Sequence, residues 1–221
     1  MTADIDFKAL KAVLYSAVLS DVLDSFGRAD QAMRPFVRPL DEDKVLFGRA
    51  RTGLYANVYG VTEGRNPYEV EIALVDNLAE DDIVVLACDG PTTRIAPWGE
   101  LLTTAARCRG AGGCVTDGLV RDVRHIRRLG FPVFHGGIGP LDTKGRAEMT
   151  ARDVPVECGG VRVEPGDLVF GDVDGVVVIP QALAGEVIAA ALDKINGENR
   201  SREHLEQGML LGEVYARYGI L

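Results

Sequence analysis

The chain has 221 residues with 24 Lys+Arg against 33 Asp+Glu, and its formal net charge of −9 speaks against nucleic acid as a partner, whose phosphates need clustered cations. At 47% hydrophobic and 26% charged residues it has the composition of an ordinary soluble domain, and charges interrupt every apolar stretch before the roughly 18–20 residues of a bilayer span, so no membrane partner is expected. The opening Met1-Thr-Ala-Asp-Ile-Asp-Phe-Lys8 lacks the basic and apolar regions of a secretory signal, which predicts a cytoplasmic address.

Residues 5–26 place Leu10, Val13, Leu14, Ala17, Val18, Val22 and Leu23 at helical spacing, with Gly27 as the stop and Ser20-Asp21 as an N-cap that divides the stretch. Residues 45–59 read as one or two strands, 68–79 as a helix and 81–90 as a short buried strand. A helix over 99–109 and a strand over 112–118 come next, the strand closing in a tight Asp117-Gly118 turn. Then come a helix over 121–130 with Gly130 at its end and a strand over 131–135. This β-α-β-α-β rhythm predicts a layered α/β core with parallel strands. Across 154–180, strands alternate with Gly159-Gly160, Pro165-Gly166 and Asp174-Gly175, which read as hairpin turns. Pro180 opens a long helix over 181–206, Gly208 punctuates it, and a last short helix ends near Tyr218. No linker or composition break divides 1–221, so a single domain with C-terminal helices is expected.

Cys88, Cys108, Cys114 and Cys158 form no CxxC pair and are expected to be buried free thiols. His125, His135 and His204 lack zinc-ligand spacing, which leaves a hard, oxygen-ligated metal as the available choice. Gly110-Ala-Gly112-Gly113 precedes a strand instead of joining strand to helix, so it is a turn and not a dinucleotide loop. Asp172-Val-Asp174-Gly175 lacks the frame of a calcium loop and reads as a hairpin turn. Arg124 and Arg128 share a helix face that is solvated or faces another subunit, and His125 is assigned a packing or surface role.

The chemistry concentrates in 98–134. Gly99 and Glu100 start a helix just after a strand, so the N–H groups of Glu100, Leu101 and Leu102 point outward as a carboxylate site, unless Glu100 simply complements the helix dipole. Arg121-Asp122 starts the next helix at the same end of the strands, where ligands of α/β sheets bind. An arginine fork can hold a carboxylate or keto oxygen, and the aspartate can hold Mg²⁺ or Mn²⁺ with waters. The plain alternative is a surface ion pair with a cap.

The stretches Trp98-Gly-Glu-Leu-Leu102, Gly113-Cys-Val-Thr-Asp-Gly-Leu-Val-Arg-Asp122, Gly130-Phe-Pro-Val-Phe134 and Gly171-Asp-Val-Asp-Gly-Val-Val-Val-Ile-Pro180 resemble the RraA-like family, as does the tail from Gly197 to Leu221. That family includes class II pyruvate aldolases and the regulators of ribonuclease E activity. The resemblance implies a layered, swivelling α/β/β domain with a parallel-rich central sheet and a β-hairpin second layer. It implies a divalent metal, Mg²⁺ or Mn²⁺, held mainly through Asp122, with Arg121 on the pyruvyl group. The amides of Leu101 and Leu102, in the Gly99-Glu100 turn, would take the carboxylate. A glutamate from a neighbouring subunit, matched by Glu198 or alternatively Glu203, would complete the site in a homotrimer or a dimer of trimers. The activity so implied is cleavage of a 4-hydroxy-2-oxo acid to pyruvate, with oxaloacetate decarboxylation beside it. The rival reading is a non-enzymatic, protein-binding regulator of the ribonuclease E type. No lysine lies between Trp98 and Phe134, which disfavours a Schiff-base aldolase built on these elements.

Overall fold

A computed structural model describes residues 5–220. The N-terminal stretch forms two helices, α1 (Phe7–Lys11) and α2 (Ser16–Ser25). The break falls at 12–15 and not at Ser20-Asp21, which lie inside α2 and cap nothing. The cause is distant in sequence: Asp172 accepts the Ser16 N–H at 2.8 Å and the Ser16 hydroxyl at 2.7 Å, fixing where α2 begins. Next along the chain are β1 (Arg38–Pro39), β2 (Leu46–Asn57), α3 (Glu69–Asp76), β3 (Asp82–Ala87), α4 (Glu100–Cys108), β4 (Gly113–Val120), α5 (Val123–Leu129) and β5 (Val133–Ile138). The second half holds β6 (Ala147–Arg152), β7 (Val156–Cys158), β8 (Val161–Val163), β9 (Leu168–Gly171), β10 (Val176–Ile179), α6 (Ala184–Glu206) and α7 (Leu211–Tyr218).

Eight strands make one mixed sheet in the order β1-β5-β4-β3-β2-β9-β10, with β6 also pairing β2. The central β2, β3, β4 and β5 run parallel, as the helical crossovers between them require. Alternation along β3 feeds both faces: Val84 and Leu86 pack with Leu74, Ala106 and Ile126 of the crossover helices, while Ile83, Val85 and Ala87 pack with Val156, Val161 and Val163 of the β7-β8 hairpin. A third cluster seats α1, α2 and α6 on Phe47, Leu168 and Phe170. The architecture is therefore the expected layered α/β fold with a hairpin layer on one face. Pro165-Gly166 does not turn a hairpin. It carries the chain from the small β7-β8 sheet back to the large one, where Gly166 donates to the Ala50 carbonyl at 2.9 Å, and β9-β10 extends that sheet.

The expected Asp117-Gly118 turn is absent. β4 runs on to Val120 through a register shift between Thr116 and Leu119, because the Asp117 carboxylate, 2% exposed, finds backbone donors inside the protein. Of the cysteines, Cys88, Cys114 and Cys158 are buried, but Cys108 at the end of α4 is exposed, contrary to expectation. Among the described residues no helix is long and apolar enough to cross a membrane.

Candidate functional site

Because β3 and β4 are parallel neighbours, the segments leaving them reach the same edge of the sheet, and the starts of α4 and α5 meet there. A lone bridge between Trp98 and Val120, extended by the Arg121 N–H donating to the Trp98 carbonyl at 3.0 Å, clamps the two segments together. Trp98, 1% exposed and stacked on Phe131, anchors the clamp in the core.

Gly99 precedes α4, whose first backbone bond runs from Thr103 N–H to the Gly99 carbonyl. The N–H groups of Leu101 and Leu102 thus have no acceptor within the helix. The Glu100 N–H donates to Asp122 Oδ2 at 3.2 Å. A Cβ at Gly99 would stand 2.8 Å from that same Oδ2 and 3.2 Å from the Arg121 side chain, so glycine is what lets the pair close onto the helix start. Asp122 itself adopts φ 58°, ψ 28°, a left-handed backbone uncommon outside glycine, and its side chain caps α4 across the gap and not its own helix. Such an outlier at a helix start is a pointer to function.

The Arg121 guanidinium is held by Asp142, with Nη2 3.3 Å from Oδ1 and Nε 3.9 Å from Asp122 Oδ2. Asp142 also accepts from the Tyr68 hydroxyl at 2.5 Å and the Thr143 N–H at 2.8 Å. Burial works against the Asp142 charge, yet Tyr68, Arg121 and the Thr143 amide together hold the carboxyl below the usual range. Burial and the bond to Asp142 push the Tyr68 phenol up to about 12. Behind them Glu71, 8% exposed, accepts the Tyr55 hydroxyl at 2.5 Å. Burial raises its pKa from 4.5 to about 7, with the charge on Asp142 adding to the rise and the Tyr55 bond and Arg121 opposing it.

These groups line a cleft of about 390 Å³ that gathers Gly99, Glu100, Leu101, Leu102, Arg121 and Asp122, all predicted from sequence, with Tyr68, Glu71, Asp142 and Thr143, which were not. Glu71 left a readable signal, an acid at the buried i, i+3, i+4 stripe it shares with Leu74 and Val75. Asp142 sits in a loop with no pattern to mark it. Glu198 lies on α6, paired with the Tyr15 hydroxyl and 3.9 Å from Lys194 Nζ, outside the lining of the cleft. Glu203 is exposed further along α6. Arg124, His125 and Arg128 are exposed on α5.

Among the described residues no group of three or more His, Cys, Asp or Glu is placed to hold a metal ion. Of the carboxyls that line the cleft, Asp122 at the helix starts has a half-exposed side chain. One oxygen donor with room for waters and ligand oxygens suits a hard, largely hydrated cation such as Mg²⁺ and not a thiolate- or imidazole-bound metal.

Glu71 yields a stability prediction. Its folded pKa lies above its unfolded value, so its contribution is fully present below about pH 4.5 and is lost as pH rises through about 7. Between pH 5 and 8 the loss is about 3 kcal/mol at most. Glu71→Gln, which keeps an acceptor for Tyr55, is expected to remove that slope, so that the variant unfolds at a higher temperature than the parent at pH 8 and at a similar one at pH 5. Thermal unfolding of both proteins across this range in chelator checks it, and parallel pH curves would refute it.

The family model described as RraA-like, Aldolase/RraA, matches residues 16–178. A Halalkalibacterium halodurans protein bearing the provisional name 4-hydroxy-4-methyl-2-oxoglutarate aldolase is 31% identical over 210 residues, 91% of this chain and 89% of that one. Among solved structures, an uncharacterized protein from Pseudomonas syringae pv. tomato superposes with a TM-score of 0.83 at 26% identity over 99% of this chain and 100% of its own. Streptomyces coelicolor RraAS2, described as an unusual member of the RNase ES inhibitor RraA protein family, gives a TM-score of 0.81 at 28% identity over 91% of this chain and 98% of its own. With the family match spanning most of the chain and the fold shared end to end, the chain belongs to the RraA-like family.

Proposed function

We propose that the chain is a divalent-metal-dependent class II pyruvate aldolase, a carbon–carbon lyase that cleaves a 4-hydroxy-2-oxo acid to pyruvate and a second carbonyl compound. The observation that carries this reading is the convergence of the free Leu101 and Leu102 N–H groups, the Arg121 fork and the Asp122 carboxylate on one cleft. The two amides bind the substrate carboxylate at the positive end of α4. Arg121, held in place by Asp142, donates to the 2-keto oxygen, where negative charge develops as the C3–C4 bond breaks. Asp122 would hold Mg²⁺ or Mn²⁺, which would supply Lewis-acid stabilisation of the same charge. The 4-hydroxyl loses its proton as C4 becomes a carbonyl, and C3 takes a proton to become the methyl of pyruvate. The same charge develops on loss of CO₂ from oxaloacetate, the expected side activity.

Glu198 lies outside this cleft within one chain, so a role for it at the site requires a second copy, and the reading includes a homotrimer or a dimer of trimers. The apolar rim supports assembly: Ile72 and Leu101 line the cleft yet are 45% and 78% exposed. A cytoplasmic location is part of the same proposal. The test is pyruvate release from 4-hydroxy-4-methyl-2-oxoglutarate, other 4-hydroxy-2-oxo acids and oxaloacetate, with Mg²⁺ or Mn²⁺ and then with chelator. Turnover is expected with metal and not with chelator. Inactivity across the panel would overturn the aldolase and favour the protein-binding regulator, the role named for the family of the Streptomyces neighbour.

A further inference from the structure

The half of the cleft beyond the pyruvyl contacts has a charge pattern of its own, whose meaning for the substrate rests on the aldolase reading. Four carboxyls line the cleft, Glu71, Glu100, Asp122 and Asp142, and Arg121 is the one cationic side chain among the described residues that do so. Arg121 is already neutralised on one side by Asp142, and the proposed role directs its fork at the keto oxygen. Asp122 and Glu100 belong to the helix-start end, where Glu100 is tied to Thr104 at 2.9 Å. That leaves Glu71, Asp142, Tyr68 and Thr143 to meet whatever extends past C3.

Those four present acceptors. One Asp142 oxygen takes the Tyr68 hydroxyl and the other the Thr143 amide and Arg121. Glu71 is more than nine-tenths buried, and its single hydrogen bond, from Tyr55, reaches Oε2. Its other oxygen has no protein donor among the described residues, although the residue lines the cleft. That oxygen opens on the cleft, where it accepts from solvent until a ligand donor replaces the water. A hydroxyl on the substrate would be such a donor. A second carboxylate would instead meet two acidic side chains, with Arg121, already paired to Asp142, as the one cationic side chain lining the cleft among the described residues, and like charges repel.

We propose that the C4 substituent of the substrate is an uncharged, hydroxyl-bearing chain recognised by Glu71 and Asp142, so that the second product is a neutral hydroxylated aldehyde or ketone and not a carboxylated one. The cleavage balances as before: C3–C4 breaks, the C4 hydroxyl proton departs, C4 becomes the carbonyl of the neutral product and C3 is protonated. This departs from the name carried by the Halalkalibacterium halodurans relative, whose 4-hydroxy-4-methyl-2-oxoglutarate bears a second carboxylate.

The test compares two five-carbon 2-oxo acids that lack a 4-hydroxyl and cannot be cleaved, 5-hydroxy-2-oxopentanoate and 2-oxoglutarate, which differ only in a terminal CH₂OH or carboxylate. Their dissociation constants are measured by titration calorimetry on the assembled, Mg²⁺-loaded protein at pH 8. The hydroxylated acid is expected to bind at least tenfold more tightly. In Glu71→Gln and in Asp142→Asn the ratio is expected to fall at least threefold, and because it is a ratio, weaker hold on the shared pyruvyl half cancels. Equal or tighter binding of 2-oxoglutarate, or a ratio unmoved in both variants, overturns the inference. Deuterium exchange into the methyl group of pyruvate, which has no tail, reads the aldolase site alone. Exchange with the wrong tail preference sinks only this inference, whereas no exchange and no binding of either acid removes the aldolase reading and the inference with it.

Discussion

Asp122→Asn is expected to lower metal-dependent pyruvate release by about 10³-fold or more while leaving the unfolding temperature nearly unchanged. The two halves of that result have separate causes. Asparagine is close in size, tolerates the left-handed backbone that Asp122 adopts, and keeps an oxygen for the Glu100 N–H, so the start of α5 and the junction with α4 survive. What disappears is the negative charge that holds a hard cation. Loss of its charge stabilisation, worth several kcal/mol, corresponds to about three powers of ten in rate. Steady-state kinetics with saturating Mn²⁺ and a melting curve for each protein decide the matter. An active variant, or a parent that turns over in chelator, would remove Asp122 from its proposed role. A variant that is inactive because it melts early would instead identify the residue as a structural cap.

The contrast between what was legible in the sequence and what was not tracks the range of the interactions involved. The crossover helices and central strands could be read because each carries its own period: apolar runs bounded by acids for β3, 3.6-residue spacing for α3 and α4, Gly130 at the end of α5. The six cleft residues at the starts of α4 and α5 were legible for a topological reason, since strand-helix junctions of neighbouring parallel strands meet at one edge. The elements misread were those decided by distant partners. The α1-α2 break is fixed by Asp172, and the continuation of β4 through Asp117-Gly118 by donors from two other segments. β6 pairs with β2 almost a hundred residues earlier in the chain and has no hairpin turn to announce it. The same holds within the cleft, where Tyr68, Glu71 and Asp142 come from α3 and a loop and gain meaning only beside Arg121.

Asp117→Ala is expected to destabilise the protein by about 3–5 kcal/mol. The Asp117 carboxylate accepts the Cys88 N–H at 2.7 Å, the Gly90 N–H at 3.0 Å and the Gly159 N–H at 3.4 Å. These donors belong to the segment after β3 and to the β7-β8 turn, so one side chain ties the bulge of β4 to the segment before α4 and to the hairpin layer. Burial raises the pKa of this carboxyl against the pull of the amides, yet the balance still favours keeping it, because alanine would leave buried donors without an acceptor at about 1–3 kcal/mol each. Packing closes off easy relaxation: a Cβ at Gly90 or Gly136 would already collide with the Asp117 carbonyl oxygen. For a domain of this size the loss corresponds to a fall of about 10 °C in Tm. Asp117→Asn, which retains one acceptor oxygen but turns an amide donor toward other donors, is expected to cost less than alanine and more than nothing. If the alanine variant unfolds within about 1 kcal/mol of the parent, water has replaced the carboxylate and the bulge does not depend on it. If instead the loss is as large as expected, pyruvate release should fall even below the melting transition, because Arg121 and Asp122 stand at the end of the strand whose path Asp117 sets.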